Sequence, residues 1–248
     1  MTTALRTSGL GKHFGGVRAV TGVSLALPLG ARHAIIGPNG AGKTTLINLL
    51  TGMLAPSEGE VYLGEDRVTR LRPDQRVKRG LARTFQINNL FPDLSVMQCM
   101  LLAVCEQSGG AIDPWRPVAR CTAEIGAARD ILRLLRLDGN EDTIVRELAY
   151  GDQRLVEIAL ALACKPRVLL LDEPAAGVPK GESQALFRAI ADLPGDVSVL
   201  FVEHDMDIVF RFAQRITVLV SGAILTEGPP EQIARDPMVK QVYLGNRT

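Results

Sequence analysis

The sequence predicts an α/β fold: a parallel sheet covered by helices, with an N-terminal antiparallel β layer and an inserted α-helical subdomain. Three observations carry that prediction. The runs Ala34-Ile35-Ile36, Val168-Leu169-Leu170-Leu171 and Val197-Ser198-Val199-Leu200-Phe201-Val202 are apolar on both faces, as strands of a helix-covered parallel sheet are. A glycine-rich turn follows the first run at once and leads into a helical pattern. Between about Ile87 and Cys164 the apolar periodicity becomes that of helices. The 248 residues are read as a single domain, 1–248, in which 1–86 and 165–248 form the α/β core with its β layer and 87–164 the helical subdomain.

In chain order, residues 17–36 alternate polar and apolar groups and end in the buried strand Ala34-Ile35-Ile36. After the glycine-rich segment, Leu46 to Leu50 read as a helix closed by turn residues around Pro56, Ser57 and Gly59. Glu60 to Leu63 read as a strand in an antiparallel layer with the N-terminal segment. In the insert, Met97, Met100, Leu101 and Val104 share one helix face, and Leu155, Ile158, Ala159 and Leu162 repeat the spacing. Ser108 to Pro114 form a loop, and Trp115 after it reads as a packing residue. Beyond Pro166, a helix over Glu182–Leu193 separates two strands, and a third strand, Ile216 to Val220, precedes a polar tail.

Composition narrows the classes. With a formal net charge of +1, the chain lacks the basic excess of a nucleic-acid binder. Cys99, Cys105, Cys121 and Cys164 have no paired zinc-type spacing and read as buried, reduced thiols. Met1 to Arg6 lack the apolar core of a signal peptide, and no apolar run nears the ~20 residues that span a bilayer. The expectation is a soluble chain that reaches a membrane only through a partner.

Gly37-Pro38-Asn39-Gly40-Ala41-Gly42-Lys43-Thr44-Thr45 has the G-x-x-x-x-G-K-T spacing of a phosphate-binding loop, between a predicted strand and a predicted helix. Its glycines let successive amides face phosphate oxygens, and the helix N-terminus adds partial positive charge. Lys43 would reach the β- and γ-phosphates of ATP, and the Thr44 hydroxyl would ligate Mg²⁺. Asp172 and Glu173 end the next apolar strand, and ligands of open α/β sheets gather at the carboxyl ends of strands. Asp172 would hold Mg²⁺; Glu173 would act as general base on the attacking water. His204, just past the strand ending Val202-Glu203, is placed to hydrogen-bond the γ-phosphate. His13 and His33 read as structural.

The ordered set of phosphate loop, Gln86, Leu148-Ala149-Tyr150-Gly151-Asp152-Gln153, Leu171-Asp172-Glu173-Pro174 and His204 resembles an ABC-type ATPase subunit over nearly the whole chain. The resemblance implies a P-loop NTPase (RecA-like) core. It implies that Gln86, in Arg83-Thr84-Phe85-Gln86, senses Mg²⁺ and the γ-phosphate near the surface where a membrane partner docks. The residues after it, Ile87 to Leu94 with exposed-looking Leu90 and Phe91, are a candidate docking segment, with ordinary packing within the insert as the rival reading. It implies that Ala149, Tyr150, Gly151 and Asp152 cap the γ-phosphate of ATP on an opposite subunit, and that Phe14 stacks on adenine. Within the family, the ATP-binding subunits of branched-chain amino acid importers are most similar, through Arg83–Gln86, Leu148–Arg154, Asp172–Gly177, Glu203–Met206 and Val242–Gly245. Such importers pair two ATPase subunits, identical or sister chains, with two permeases on the cytoplasmic face of the inner membrane.

Three departures stand out. Ala149 and Tyr150 replace the usual serine and glycine, so backbone amides must carry more of the phosphate contact. Asp152 replaces a glutamine. Pro179 ends a loop that commonly closes on aspartate. Rival readings are a transport ATPase for another cargo (urea, aromatic acids, lipid export), a soluble ABC ATPase acting on DNA or ribosomes, and a small-molecule kinase. The kinase leaves the signature segment and His204 unexplained.

Overall fold

The structure, a computed structural model, describes residues 2–84, 91–107 and 121–244. Gln86, the first half of the expected docking segment (87–90), Trp115 and Gly245 lie outside the described residues. The strands are β1 (Thr3–Phe14), β2 (Val17–Val23), β3 (Ala26–Pro28), β4 (Arg32–Ile36), β5 (Glu58–Leu63), β6 (Asp66–Arg67), β7 (Leu81–Arg83), β8 (Val168–Asp172), β9 (Ser198–Val202), β10 (Arg215–Val220) and β11 (Ala223–Gly228). The helices are α1 (Lys43–Thr51), α2 (Pro73–Val77), α3 (Val96–Gln107), α4 (Thr122–Leu134), α5 (Tyr150–Ala163), α6 (Lys180–Ala191), α7 (Met206–Phe212), α8 (Pro230–Arg235) and α9 (Pro237–Leu244).

The chain divides into two compact units, one of Met1–Arg83, Arg167–Pro174 and Pro194–Thr248, the other of Thr84–Pro166 and Ala175–Leu193. The first unit holds both sheets. A six-stranded sheet runs β11-β10-β4-β9-β8-β7, parallel except for the β10–β11 pair. A five-stranded antiparallel sheet runs β2-β1-β5-β6, with β3 also on β1. Every residue of β4 and β9 is buried, which is why their segments Ala34–Ile36 and Val199–Val202 read as unbroken apolar runs. The apolar face of α1 (Leu46, Ile47, Leu49, Leu50) shares one core with Leu5, Leu10 and Val61 of the antiparallel sheet and with Ile35, Leu170 and Leu200 of the parallel one. The C-terminus of α1 is capped from α2: the buried Arg76 guanidinium donates to the carbonyls of Leu49 (2.7 Å), which also accepts from the Gly52 amide (3.3 Å), and Leu50 (2.6 Å).

Beyond Val220 the chain does not become a polar tail. Ser221 and Gly222, both at positive φ (49° and 81°), form the two-residue turn of a β10–β11 hairpin, and α8 and α9 follow. The sequence reading missed β11 because its side chains are only partly buried and do not alternate cleanly. The cysteines also differ from expectation: none is in a disulfide, but only Cys99 is buried.

The second unit holds α3 to α6. In α5 the predicted stripe Leu155, Ile158, Ala159 and Leu162 is buried; in α3, Met100 and Val104 are buried together with Cys99. Helix α6, which follows β8 in sequence, belongs to this helical unit.

Candidate nucleotide-binding and hydrolysis site

Strand β4 delivers the chain directly into the phosphate loop, and two glycines there are dictated by neighbouring backbone. A Cβ on Gly37 would lie 2.2 Å from the Leu219 carbonyl oxygen, and one on Gly42, at φ 96°, would lie 2.4 Å from that of Ala19. The β10–β11 turn braces the loop from outside, because the Gly222 amide donates to the Ala41 carbonyl (3.0 Å). Helix α1 starts at Lys43, so the first-turn amides of Lys43, Thr44 and Thr45 open toward the loop. The Lys43 ammonium arches back and donates to the carbonyls of Gly37 (2.8 Å) and Pro38 (3.1 Å). Burial pushes its pKa down, opposed by the charges of Glu173 and then Asp172. These two carboxylates are therefore close enough to Lys43 to feel its charge.

The parallel sheet explains the gathering. Ile35 of β4 pairs with Val202 of β9, and Val202 pairs in turn with Asp172 of β8. The phosphate loop, Glu203-His204 and Asp172-Glu173 thus leave three adjacent strands at the same edge, with Arg83 at the end of β7 beside them. Asp172 is gripped by Arg83, whose Nη2 donates to Asp172 Oδ2 at 3.0 Å while Nη1 donates to Asn48 Oδ1 of α1 at 2.7 Å. Burial raises the Asp172 carboxyl, and the Arg83 charge works against that rise. Glu173 stands at φ 50°, left-handed backbone that a non-glycine residue adopts at a cost of ~1–3 kcal/mol, with its amide donating to the Val202 carbonyl at 3.0 Å. The His204 side chain is exposed, and its backbone amide donates to the buried Glu203 carboxylate at 3.2 Å. Phe14 is half exposed at the end of β1 with the Lys12 ammonium 5.2 Å from its ring, so it is a surface platform and not a core residue.

Sequence reasoning missed two contributors here. Arg83 entered only as part of a motif, yet its fork ties α1, β7 and β8 together. Tyr243 of α9 hydrogen-bonds the Gly37 backbone, and burial pushes its hydroxyl up to about 12. His33, read as structural, is fully buried on β4 and receives its partner from β10: its Nε2–H donates to Thr217 Oγ1 (2.8 Å), which donates to Glu227 Oε2 (2.9 Å). That chain fixes the Nε2–H tautomer and leaves Nδ1 buried without a partner.

In the helical unit, Ala149 is the N-cap of α5, and Tyr150, Gly151 and Asp152 form its first turn. Ala149 and Tyr150 are exposed, while Gly151 is buried. The Tyr150 ring packs at the Cβ position of Gly177 (3.3 Å) and its hydroxyl accepts from Arg154 Nη2 (3.1 Å). Burial, and then the charge of Glu182, raise the Asp152 carboxyl.

A glycine-rich loop on a parallel-sheet edge, a lysine beside two strand-end carboxylates and a brace of hairpin and helix define a P-loop nucleotide hydrolase. Comparison with known proteins narrows the class. The sequence pattern of the ABC transporter family matches residues 20–176. The high-affinity branched-chain amino acid transport ATP-binding protein LivG of Salmonella typhimurium is 39% identical over 249 residues, covering 97% of each chain. The corresponding protein BraF of Pseudomonas aeruginosa is 38% identical over 250 residues, again 97% of each. A crystal structure of an ATP-binding cassette of an ABC transporter in its ADP conformation superposes with a TM-score of 0.86 at 32% identity, covering 99% of this chain and all of that one. The chain belongs to the ABC transporter family and is one of its ATP-hydrolysing cassettes.

Proposed function

We propose that this cassette energises an importer of branched-chain or related amino acids, working as a homodimer or with a sister ATPase subunit on two membrane permeases at the cytoplasmic face of the inner membrane. The observation that carries the cargo class is the 38–39% identity to LivG and BraF over nearly the full length of both chains. Among the described residues no helix is long and apolar enough to cross a membrane, so a transport role needs permease partners. Transport fuelled by this chain would involve no nucleic acid.

The residues fit an Mg²⁺–ATP substrate. Among the described residues no three His, Cys, Asp or Glu side chains form a protein-only metal cage. Mg²⁺ in phosphoryl-transfer sites is held instead by a few protein oxygens together with phosphates, and Thr44, Asp172 and Gln86 would supply that set. When bound, the cation would neutralise charge on the β- and γ-phosphate oxygens. Lys43 would exchange the Gly37 and Pro38 carbonyls for phosphate oxygens, and the loop amides from Gly37 to Thr45 would cradle the rest. Phe14 would stack on adenine. Glu173 would accept the proton of a water whose oxygen attacks the γ-phosphorus; the bond to the bridging oxygen breaks, and ADP leaves with that electron pair. His204 would donate to the γ-phosphate. Ala149, Tyr150, Gly151 and Asp152 of the second subunit would close over it through backbone amides.

Glu173→Gln removes the base but keeps the shape. It is expected to bind ATP, accumulate a closed dimer and lower turnover on the order of 10²–10³-fold. Turnover at the wild-type rate would show that Glu173 is not the base. Uptake of labelled leucine, isoleucine and valine by cells lacking this chain, compared with cells carrying it, tests the cargo; equal uptake of all three would reject it.

A further inference from the structure

The start of the signature helix α5 already carries an anion. Its N-cap, Ala149, has no side-chain oxygen, and the first intrahelical bond is donated by Gln153 to the Ala149 carbonyl (3.0 Å). The preceding amides depend on outside acceptors. One finds a carboxylate: the Gly151 amide donates to Glu182 Oε2, at 3.3 Å, from the first turn of α6. A Cβ on residue 151 would lie 2.7 Å from that oxygen, so the glycine is what lets the carboxylate in. Asp152 lies on the same turn, and Arg154 of the same helix is engaged by Glu157 (3.0 Å), the Tyr150 hydroxyl (3.1 Å) and the Ala176 carbonyl (3.5 Å).

The contact is built to be given up. Glu182 is an exposed residue and makes a single long hydrogen bond to the helix, a type of interaction worth little in water. A γ-phosphate offers three oxygens and a larger charge to the same amides.

We propose that Glu182 is an internal stand-in for phosphate: in the unpaired subunit its carboxylate occupies the Gly151 amide that the γ-phosphate of ATP on a second subunit takes on closure. Glu182 thereby sets how much ATP is needed before two subunits pair. The inference rests on the reading that the signature segment meets a partner's nucleotide. Neutralising Glu182 removes a charge that both competes for the amide and repels the incoming phosphate.

The test uses the full chain in the Glu173→Gln background, where hydrolysis does not intrude. ATP-dependent dimerisation is followed by sedimentation equilibrium for Glu173→Gln alone, with Glu182→Gln, and with Glu182→Ala; thermal melts show that each variant is folded. Both additional substitutions are expected to tighten the dimer on the order of tenfold at low salt, with the gain shrinking at ~0.5 M salt. Unchanged or weaker pairing in both would overturn the proposal. So would weaker pairing with alanine but not with glutamine, which would make Glu182 a support of the helix. If Glu173→Gln itself does not dimerise with ATP, the sandwich reading falls, and this inference with it; dimerisation indifferent to residue 182 sinks only the inference.

Discussion

The phosphate loop and the signature segment both present a helix N-terminus to an anion, yet they are built differently. The loop at α1 is held from all sides: by buried β4, by the Ser221-Gly222 turn on Ala41, by Tyr243 on Gly37, and by carbonyls that meet Gly37 and Gly42 at the Cβ position. The segment at α5 is exposed at Ala149 and Tyr150 and is capped by one long bond from Glu182. On the proposed function, the difference is between a preorganised half-site within the chain and a softer half-site whose ligand would arrive on another subunit. Preorganised donors are worth most where charge develops, so the chemistry sits with the rigid half.

If that contrast holds, substitutions in the first half should damage the isolated chain, and those in the second only the pair. Lys43→Ala should lower kcat/KM on the order of 10²–10³-fold and weaken binding of a fluorescent ATP analogue to the dilute chain. Unaltered analogue binding would mean that Lys43 is not a phosphate ligand. The next effect is on stability. Burial drives the His33 pKa from 6.5 down to about 4, so the unfolded chain binds the extra proton between those values. The stability held by neutral His33 is full above pH 6.5 and is lost as pH falls toward 4, with a total of about 3 kcal/mol. Denaturant titrations of wild type and His33→Gln should converge by roughly that amount between pH 7.5 and pH 4; parallel curves would break the prediction. Smaller still, Gly151→Ala puts a Cβ beside the amide that the incoming phosphate must reach and should cost on the order of tenfold in turnover at high protein concentration. Analogue binding to the dilute chain should not change, and a matching loss there would erase the contrast.

How legible these halves were in the sequence follows from their physics. Strands apolar on both faces announce a parallel sheet, and a loop that must curl around phosphate needs glycines at fixed spacing; hence β4, β8, β9 and the phosphate loop were readable. β11 was not, since its half-buried residues give no clean period, although Ser221-Gly222 was a hairpin signal that could have been used. The Arg83 fork on Asp172 and Asn48, the burial of Arg76 against the end of α1, and the reach of Glu182 to Gly151 join residues 26 to 89 positions apart. No local pattern encodes such pairings. The left-handed backbone of Glu173 was equally hidden, because strain at a non-glycine residue is imposed by its surroundings.

On the proposed function, hydrolysis needs a second subunit over the ATP. Specific ATPase activity at saturating ATP, measured across protein concentrations from nanomolar to tens of micromolar, tests it directly. The account predicts a specific activity that climbs steeply with concentration and reaches a plateau as the dimer forms. A constant specific activity down to concentrations at which sedimentation shows only monomer would contradict it.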